Sequence, residues 1–256
     1  MQSQARTVLG KVPELTLLFW VIKVAATTLG ETAGDAVTMS MNLGYLVGTA
    51  IFMAIFIVAV AAQIRARQFH APLFWFVIVA TTTAGTTLAD FFDRSLGIGY
   101  AGGASALGAL LLGSLAWWNK ALGSVSINRI DSRKAEIFYW MTIMFSQTLG
   151  TALGDWFADP ETGLGLGYQG SAIVFGIALA AIAAACFWTK VSRTTLFWAA
   201  FILSRPLGAT VGDFLDKPLA KGGLALSRYS ASGFLAVFIV ACIVLVRQRP
   251  ERIEVK

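Results

Sequence analysis

Histidine and cysteine are nearly missing: the 256 residues include one His, His70, and two Cys, Cys186 and Cys242, each of the cysteines inside an apolar run. Bis-histidine haem, Cys-ligated iron–sulfur clusters and Cys/His zinc sites are thereby excluded, as is a small disulfide-built secreted domain. Charge is scarce too. Only 13% of residues are charged while 57% are apolar, and mean hydropathy is +0.70; a soluble domain carries about 25% charged residues. A chain this poor in polar groups cannot coat its own surface, so lipid must supply the missing solvent. There is no Ser/His/Asp set and no phosphate loop, and the glycine-rich run at 97–103 opens an apolar span. No enzyme is expected, and no cofactor beyond a bound divalent cation; carboxylates and hydroxyls must carry whatever the protein does.

Apolar stretches of membrane-crossing length lie near 15–35, 45–64, 72–91, 100–118, 137–156, 169–189, 195–214 and 229–246. The expected fold is all-α, a polytopic membrane protein with eight transmembrane helices in one domain over residues 1–256. Basic residues set its orientation. Arg6, Lys11, Arg65, Arg67, Lys120, Arg129, Arg133, Lys134, Lys190, Arg193, Arg247, Arg249, Arg252 and Lys256 fall on one side, against Arg94, Lys217, Lys221 and Arg228 on the other. Both termini are expected in the cytoplasm of a multi-pass cell-membrane protein. The net charge of +6 then reflects a rim facing anionic lipid and implies no nucleic-acid partner. A cleaved signal peptide is opposed by Lys23 and Glu31 inside the first apolar run and by recurrence of its pattern downstream.

That recurrence is the strongest signal. Four segments align without gaps from Phe19-Trp20 to Gly34-Asp35, Phe74-Trp75 to Ala89-Asp90, Tyr139-Trp140 to Gly154-Asp155, and Phe197-Trp198 to Gly212-Asp213. Each Trp is followed ten residues later by Gly (Gly30, Gly85, Gly150, Gly208) and fifteen later by Asp (Asp35, Asp90, Asp155, Asp213). A Tyr (Tyr45, Tyr100, Tyr168, Tyr229) heads each following span. The chain therefore reads as four two-helix hairpins in one orientation, at about 12–66, 70–120, 132–190 and 194–248, with Trp and Tyr as interfacial anchors.

On these motifs the chain resembles a family of bacterial and archaeal integral membrane proteins built of four tandem two-helix repeats, each with a Trp and a Gly-Asp pair. The resemblance covers essentially the whole chain and departs from the pattern at Ala89-Asp90. It implies topology and carries no function.

Positions four apart share a helix face. Offsets 7, 11 and 15 from each Trp give Thr27, Glu31, Asp35; Thr82, Thr86, Asp90; Gln147, Thr151, Asp155; and Arg205, Ala209, Asp213, with Lys23 extending the first stripe. Beside them run small residues, Gly30 and Gly34, Gly85 and Ala89, Gly150 and Gly154, Gly208 and Gly212, a pattern that lets helix backbones pack closely. A carboxylate at the centre of a lipid-exposed helix costs about 2.5–3.5 kcal/mol. The odd helices should therefore pack together inside, with the even helices facing lipid. From the Trp, fifteen residues at 1.5 Å rise place the aspartates about 22 Å away, toward the outer half of the membrane. The loop acids Asp93, Asp159, Glu161 and Asp216 are expected to be solvated, and Pro206 is expected to kink or break its helix.

Glu31, Asp35, Asp90, Asp155 and Asp213, with Thr27, Thr86, Thr151 and Gln147, form a hard-oxygen ligand set suited to manganese, magnesium, calcium or sodium. Glu31, Asp35, Asp155 and Asp213 are the candidate metal ligands. Lys23 and Arg205 would offset two of the five acids. The expected function is a proton-coupled small-cation transporter, with a divalent metal such as manganese favoured. Two alternatives stand beside it: a carrier of a small anion or organic acid held by Lys23 and Arg205, and a non-transporting membrane protein in which the Gly-Asp pairs are caps, turns and helix staples. The partners implied are the bilayer and a small ion or solute, with room for a homo-oligomer.

Overall fold

The computed structural model describes residues 6–127, 130 and 132–255; of the basic residues used for orientation, Arg129 and Lys256 lie outside them. Eight α-helices are present among the described residues: α1 Leu17–Asp35, α2 Gly44–Arg65, α3 Ala71–Asp90, α4 Tyr100–Leu122, α5 Arg133–Ala158, α6 Gly167–Trp188, α7 Arg193–Asp216 and α8 Arg228–Leu245. Local sequence starts the odd ones. Thr16, Ser132 and Ser192 cap α1, α5 and α7 by accepting from Phe19, Ala135 and Thr195 N–H groups, and Pro72 sits in the first turn of α3, where its missing N–H costs nothing. In each case the Phe/Tyr-Trp pair follows within the first two turns. Gly123 ends α4 in the left-handed region, at φ 74°, which glycine adopts without penalty.

The arrangement is cyclic. α1 packs on α3, α3 on α5, α5 on α7 and α7 on α1, so the odd helices close into an inner ring of four. Each even helix packs chiefly on the odd helix of the following unit: α2 on α3, α4 on α5, α6 on α7, and α8 back on α1. The expectation of four hairpins is corrected here. A hairpin would bury an even helix against its own odd partner; the observed exchange instead stitches each unit to the next, and Thr32 and Ser232 hydroxyls 2.8 Å apart mark the α1–α8 closure. A feature with no apolar-periodicity signal completes it: Arg6–Pro13 pairs antiparallel with Pro250–Val255 as a two-stranded sheet, β1 and β2, tying the start of α1 to the end of α8.

Inside and outside follow the polarity of the stripes. α2, α6 and α8 expose apolar side chains such as Val58, Ile177, Phe234 and Val237, and α2, α3, α4, α6 and α8 are long and apolar enough to cross a membrane. The remaining odd helices, α1, α5 and α7, carry their polar residues inward, where Thr27, Glu31, Gln147, Arg205 and Asp213 are buried. α7 runs unbroken through Pro206, so the expected break does not occur.

The glycines explain how closely the ring packs. A Cβ on Gly30 would collide with Thr82, on Gly85 with Gln147, on Gly150 with Arg205, and on Gly208 with Thr27. Gly34 meets Thr86, Gly154 meets Ala209, and Gly212 meets Glu31. Each unit's glycine thus receives the inward stripe of the next unit. Gly208→Ala would bring a methyl within 3.0 Å of Thr27 backbone and should cost about 1–3 kcal/mol by overpacking, read as a lower Tm in detergent. Gly113→Ala on α4, where a Cβ meets nothing within 4 Å, should leave Tm unchanged or slightly higher. Equal effects of the two would contradict the interlock.

Candidate functional site

Four layers of side chains stack along the ring axis, each built from equivalent positions on every odd helix. The lowest are aromatic. Phe19, Trp20, Phe74, Trp75, Tyr139, Trp140, Phe197 and Trp198 form a closed cycle in which each Phe or Tyr touches the Trp of its own unit and the Trp of the next, centroids 5.0–6.3 Å apart. Trp75, Trp140 and Trp198 are buried. The four Trp are expected from the sequence as lipid-interface anchors; they instead fill the end of the ring, because the odd helices are inside and their first turns converge. Tilted and edge-on pairs of this kind add about 0.5–1.5 kcal/mol each beyond burial.

One turn past Trp20, Lys23 is buried completely. Its ammonium donates to Ser204 Oγ at 3.3 Å and lies 4.2 Å above the Phe201 ring. It pairs with no carboxylate among the described residues, so it offsets none of the interior acids. The next level holds Thr27, Thr82, Gln147 and Arg205, all buried. Thr27 spends its hydroxyl on the Lys23 and Val24 carbonyls. Among the described residues, Gln147 has no partner at either end of its amide, and Thr82 Oγ1 and Arg205 Nε and Nη1 have none either.

Arg205 spends only Nη2, which donates to Glu31 at 2.9 Å and to the Thr86 and Thr151 hydroxyls. One guanidinium thereby gathers side chains from the three other inner helices. This is the central ion pair, fully enclosed on both sides.

The aspartates form the last layer. Arg94 Nε is 3.2 Å from Asp90 and its Nη2 3.1 Å from Asp155, bridging the second and third units, and it also donates to Tyr45. Lys217 bonds Asp35 and lies 3.0 Å from Asp213, bridging the fourth and first. Arg228 joins Asp216 at 2.9 Å and approaches Asp35 at 3.8 Å. Burial alone would lower the pKa of Lys217, but Asp213, Asp35 and Asp216 hold it well above its ordinary value, so its charge is secure. In the sequence Arg94 and Lys217 count only toward orientation and their place in the site is missed, although each sits four residues after a repeat Asp, the spacing of a helical ion pair.

Asp93 and Asp216, expected to be solvated, are each only 7% exposed. The helices carry them inward: past Asp35 and Asp90 the chain continues as π-helical turns at Ala36–Ser40 and Phe91–Ser95, and past Asp213 α7 runs on to Asp216. The repeat aspartates are therefore inside helices, and the cap or turn role does not describe them. Asp159 and Glu161 do lie in a loop, where Asp159 accepts from the Glu161 and Thr162 N–H groups.

The candidate metal ligands are divided by this geometry. Glu31 belongs to Arg205 and Asp155 to Arg94, while one carboxylate oxygen each from Asp35, Asp213 and Asp216 lies within 4.8 Å of the others. Lys217 and Arg228, bonded to that cluster, also line a cavity of about 860 Å³ with Arg94, Tyr100, Asp155 and Tyr168.

A ring of buried polar helices, an apolar exterior and five helices of membrane-crossing character define a repeat-built helical protein of membrane type. The chain belongs to the family described as Repeat of Unknown Function (DUF347), whose model matches residues 18–69, 73–121, 138–192 and 196–249. No curated protein and no solved structure matches it.

Breaking a buried pair by removing one partner strands the other charge. Arg205→Met should cost about 3–5 kcal/mol, and Glu31→Gln added to it should recover most of the loss. Additive losses in the double variant, read by thermal unfolding, would show that Glu31 and Arg205 do not act as a pair.

Proposed function

We propose that the chain spans the cell membrane eight times, with both termini cytoplasmic, and carries a small cation along the axis of its inner ring in exchange for protons. A divalent ion such as manganese is favoured as cargo. The observation that carries this reading is the trio Asp35, Asp213 and Asp216, whose oxygens lie within 4.8 Å, placed behind the cavity-lining Lys217.

Lys217 is the built-in competitor. Its ammonium satisfies the carboxylates when cargo is away; an incoming cation takes the same oxygens and frees the lysine toward the cavity. Three carboxylates and no nitrogen or sulfur ligand suit a hard ion. Protons compete with the cargo for the same carboxylate oxygens, which couples the two movements. Below the trio, Glu31 and Arg205 continue the polar axis, and the aromatic cycle stops it at the Trp end.

Orientation rests on the basic residues themselves, which are far more numerous at the Trp end than at the Asp end, where Arg94, Lys217, Lys221 and Arg228 lie. That favours a cytoplasmic Trp end and a cavity open to the outside.

In proteoliposomes, Asp35→Asn and Asp213→Asn should each reduce manganese transport by about tenfold or more, the loss of one charge-assisted ligand contact, with the fold retained. Lys217→Gln should bind manganese more tightly yet turn over more slowly. Transport unchanged in both aspartate variants would reject a carboxylate pathway, and a protein stabilised by no cation at all would favour a purely structural role.

A further inference from the structure

The level of Arg205 poses a different problem from that of the aspartates, because it has donors without acceptors. Thr27, Thr82, Gln147 and Arg205 occupy equivalent positions on four ring helices, and each faces the glycine of the preceding unit. They therefore go round the axis at one height, with Lys23 one turn below. Two basic side chains, each 0% exposed, meet one carboxylate there, and Glu31 engages Nη2 of Arg205 alone. Lys23 donates one long bond to a serine bonded in turn to its own helix. Among the described residues, Gln147, the Thr82 hydroxyl, and Nε and Nη1 of Arg205 have no partner.

Buried ammonium and guanidinium groups are tolerated when paired and hydrogen-bonded; left unpaired they cost several kcal/mol. Helix packing does not explain this layer. Leu or Met at Lys23 and Gln147 would pack as well without unsatisfied donors.

We infer that the Lys23, Thr82, Gln147 and Arg205 layer is a binding site for a small monovalent anion, of the size of a halide, nitrate or formate. The anion accepts from the Lys23 ammonium, the Arg205 nitrogens that Glu31 leaves free, the Gln147 amide and the Thr82 hydroxyl. It supplies the counter-charge that a protonated Lys23 needs beside Arg205. The donor ring comes from all four units, so the site exists only when the ring is closed. It is separate from the Asp35, Asp213 and Asp216 trio and does not depend on that trio binding a cation.

The test uses the purified full chain in detergent, titrated with N-methylglucamine salts of chloride, nitrate and formate, with gluconate as the oversized control. Trp fluorescence is an apt readout, since Lys23 lies over Phe201, whose ring is 6.0 Å from that of Trp198. At least one of the three small anions should give a saturable fluorescence change and raise Tm, and gluconate should give neither. Lys23→Gln should weaken binding by about tenfold or more, the loss of one charge-assisted bond. Gln147→Glu, which places a carboxylate in the layer, should abolish it, while Asp35→Asn should leave it intact. Absence of a saturable response to all three anions, or equal affinity in the folded Lys23→Gln and Gln147→Glu variants, would overturn the assignment. Because the titrations contain no metal cation, a negative result here leaves the cation reading standing, and failure of manganese transport leaves this site standing.

Discussion

The Arg205–Glu31 pair at the centre of the ring is the constraint on which the remaining architecture depends. Neither group tolerates lipid, and a guanidinium and carboxylate buried together are stable only when their remaining hydrogen-bonding capacity is met by well-placed neighbours. Arg205 meets part of it by reaching Thr86 and Thr151 from α7. That reach fixes the distance between four helices. It in turn requires glycine where a side chain would block the approach, as at Gly150, where a Cβ would run into Arg205 itself.

Closure of the ring follows from the same requirement. If the even helices packed only on their own partners, four separable hairpins would result and the polar axis could open to lipid. Packing each even helix on the next unit removes that freedom. The last helix, α8, returns to α1, and β1 pairs with β2 across the same junction. The aromatic cycle shuts one end, and the Arg94 and Lys217 clamps organise the other. These two cations stand in alternate units, second and fourth, so the aspartate layer is two linked pairs rather than four equal sites.

Much of this is legible in the sequence. The repeat gave the odd helices, and the cost of burying Glu31 and the aspartates placed them inside. Equal offsets from Trp put Thr27, Thr82, Gln147 and Arg205 in register. What escaped the sequence was lateral: which even helix meets which odd helix is not encoded in a repeat period, since exchange between units and pairing within units have the same pattern. The Trp residues were misplaced for a related reason. Their amphipathic rings suit an interface, but once the odd helices are inside, their first turns face one another. Asp93 and Asp216 looked like loop residues because the helices were expected to stop at the Gly-Asp pair; the π-helical turn after Asp90 and the last turn of α7 carry them inward instead. The β1–β2 pair left no signal of alternation strong enough to read.

Closure through α8 and α1 is the claim most directly open to measurement. Thr32 and Ser232 have hydroxyl oxygens 2.8 Å apart, so Thr32→Cys/Ser232→Cys, with Cys186 and Cys242 replaced by Ala, should form an intramolecular disulfide under mild oxidation in native membranes. A faster-migrating monomer on non-reducing gels, reversed by dithiothreitol and absent from each single-cysteine variant, is the predicted result. No cross-link at this position, while a second variant with one cysteine on α1 and one on α2 does cross-link, would contradict the closed ring.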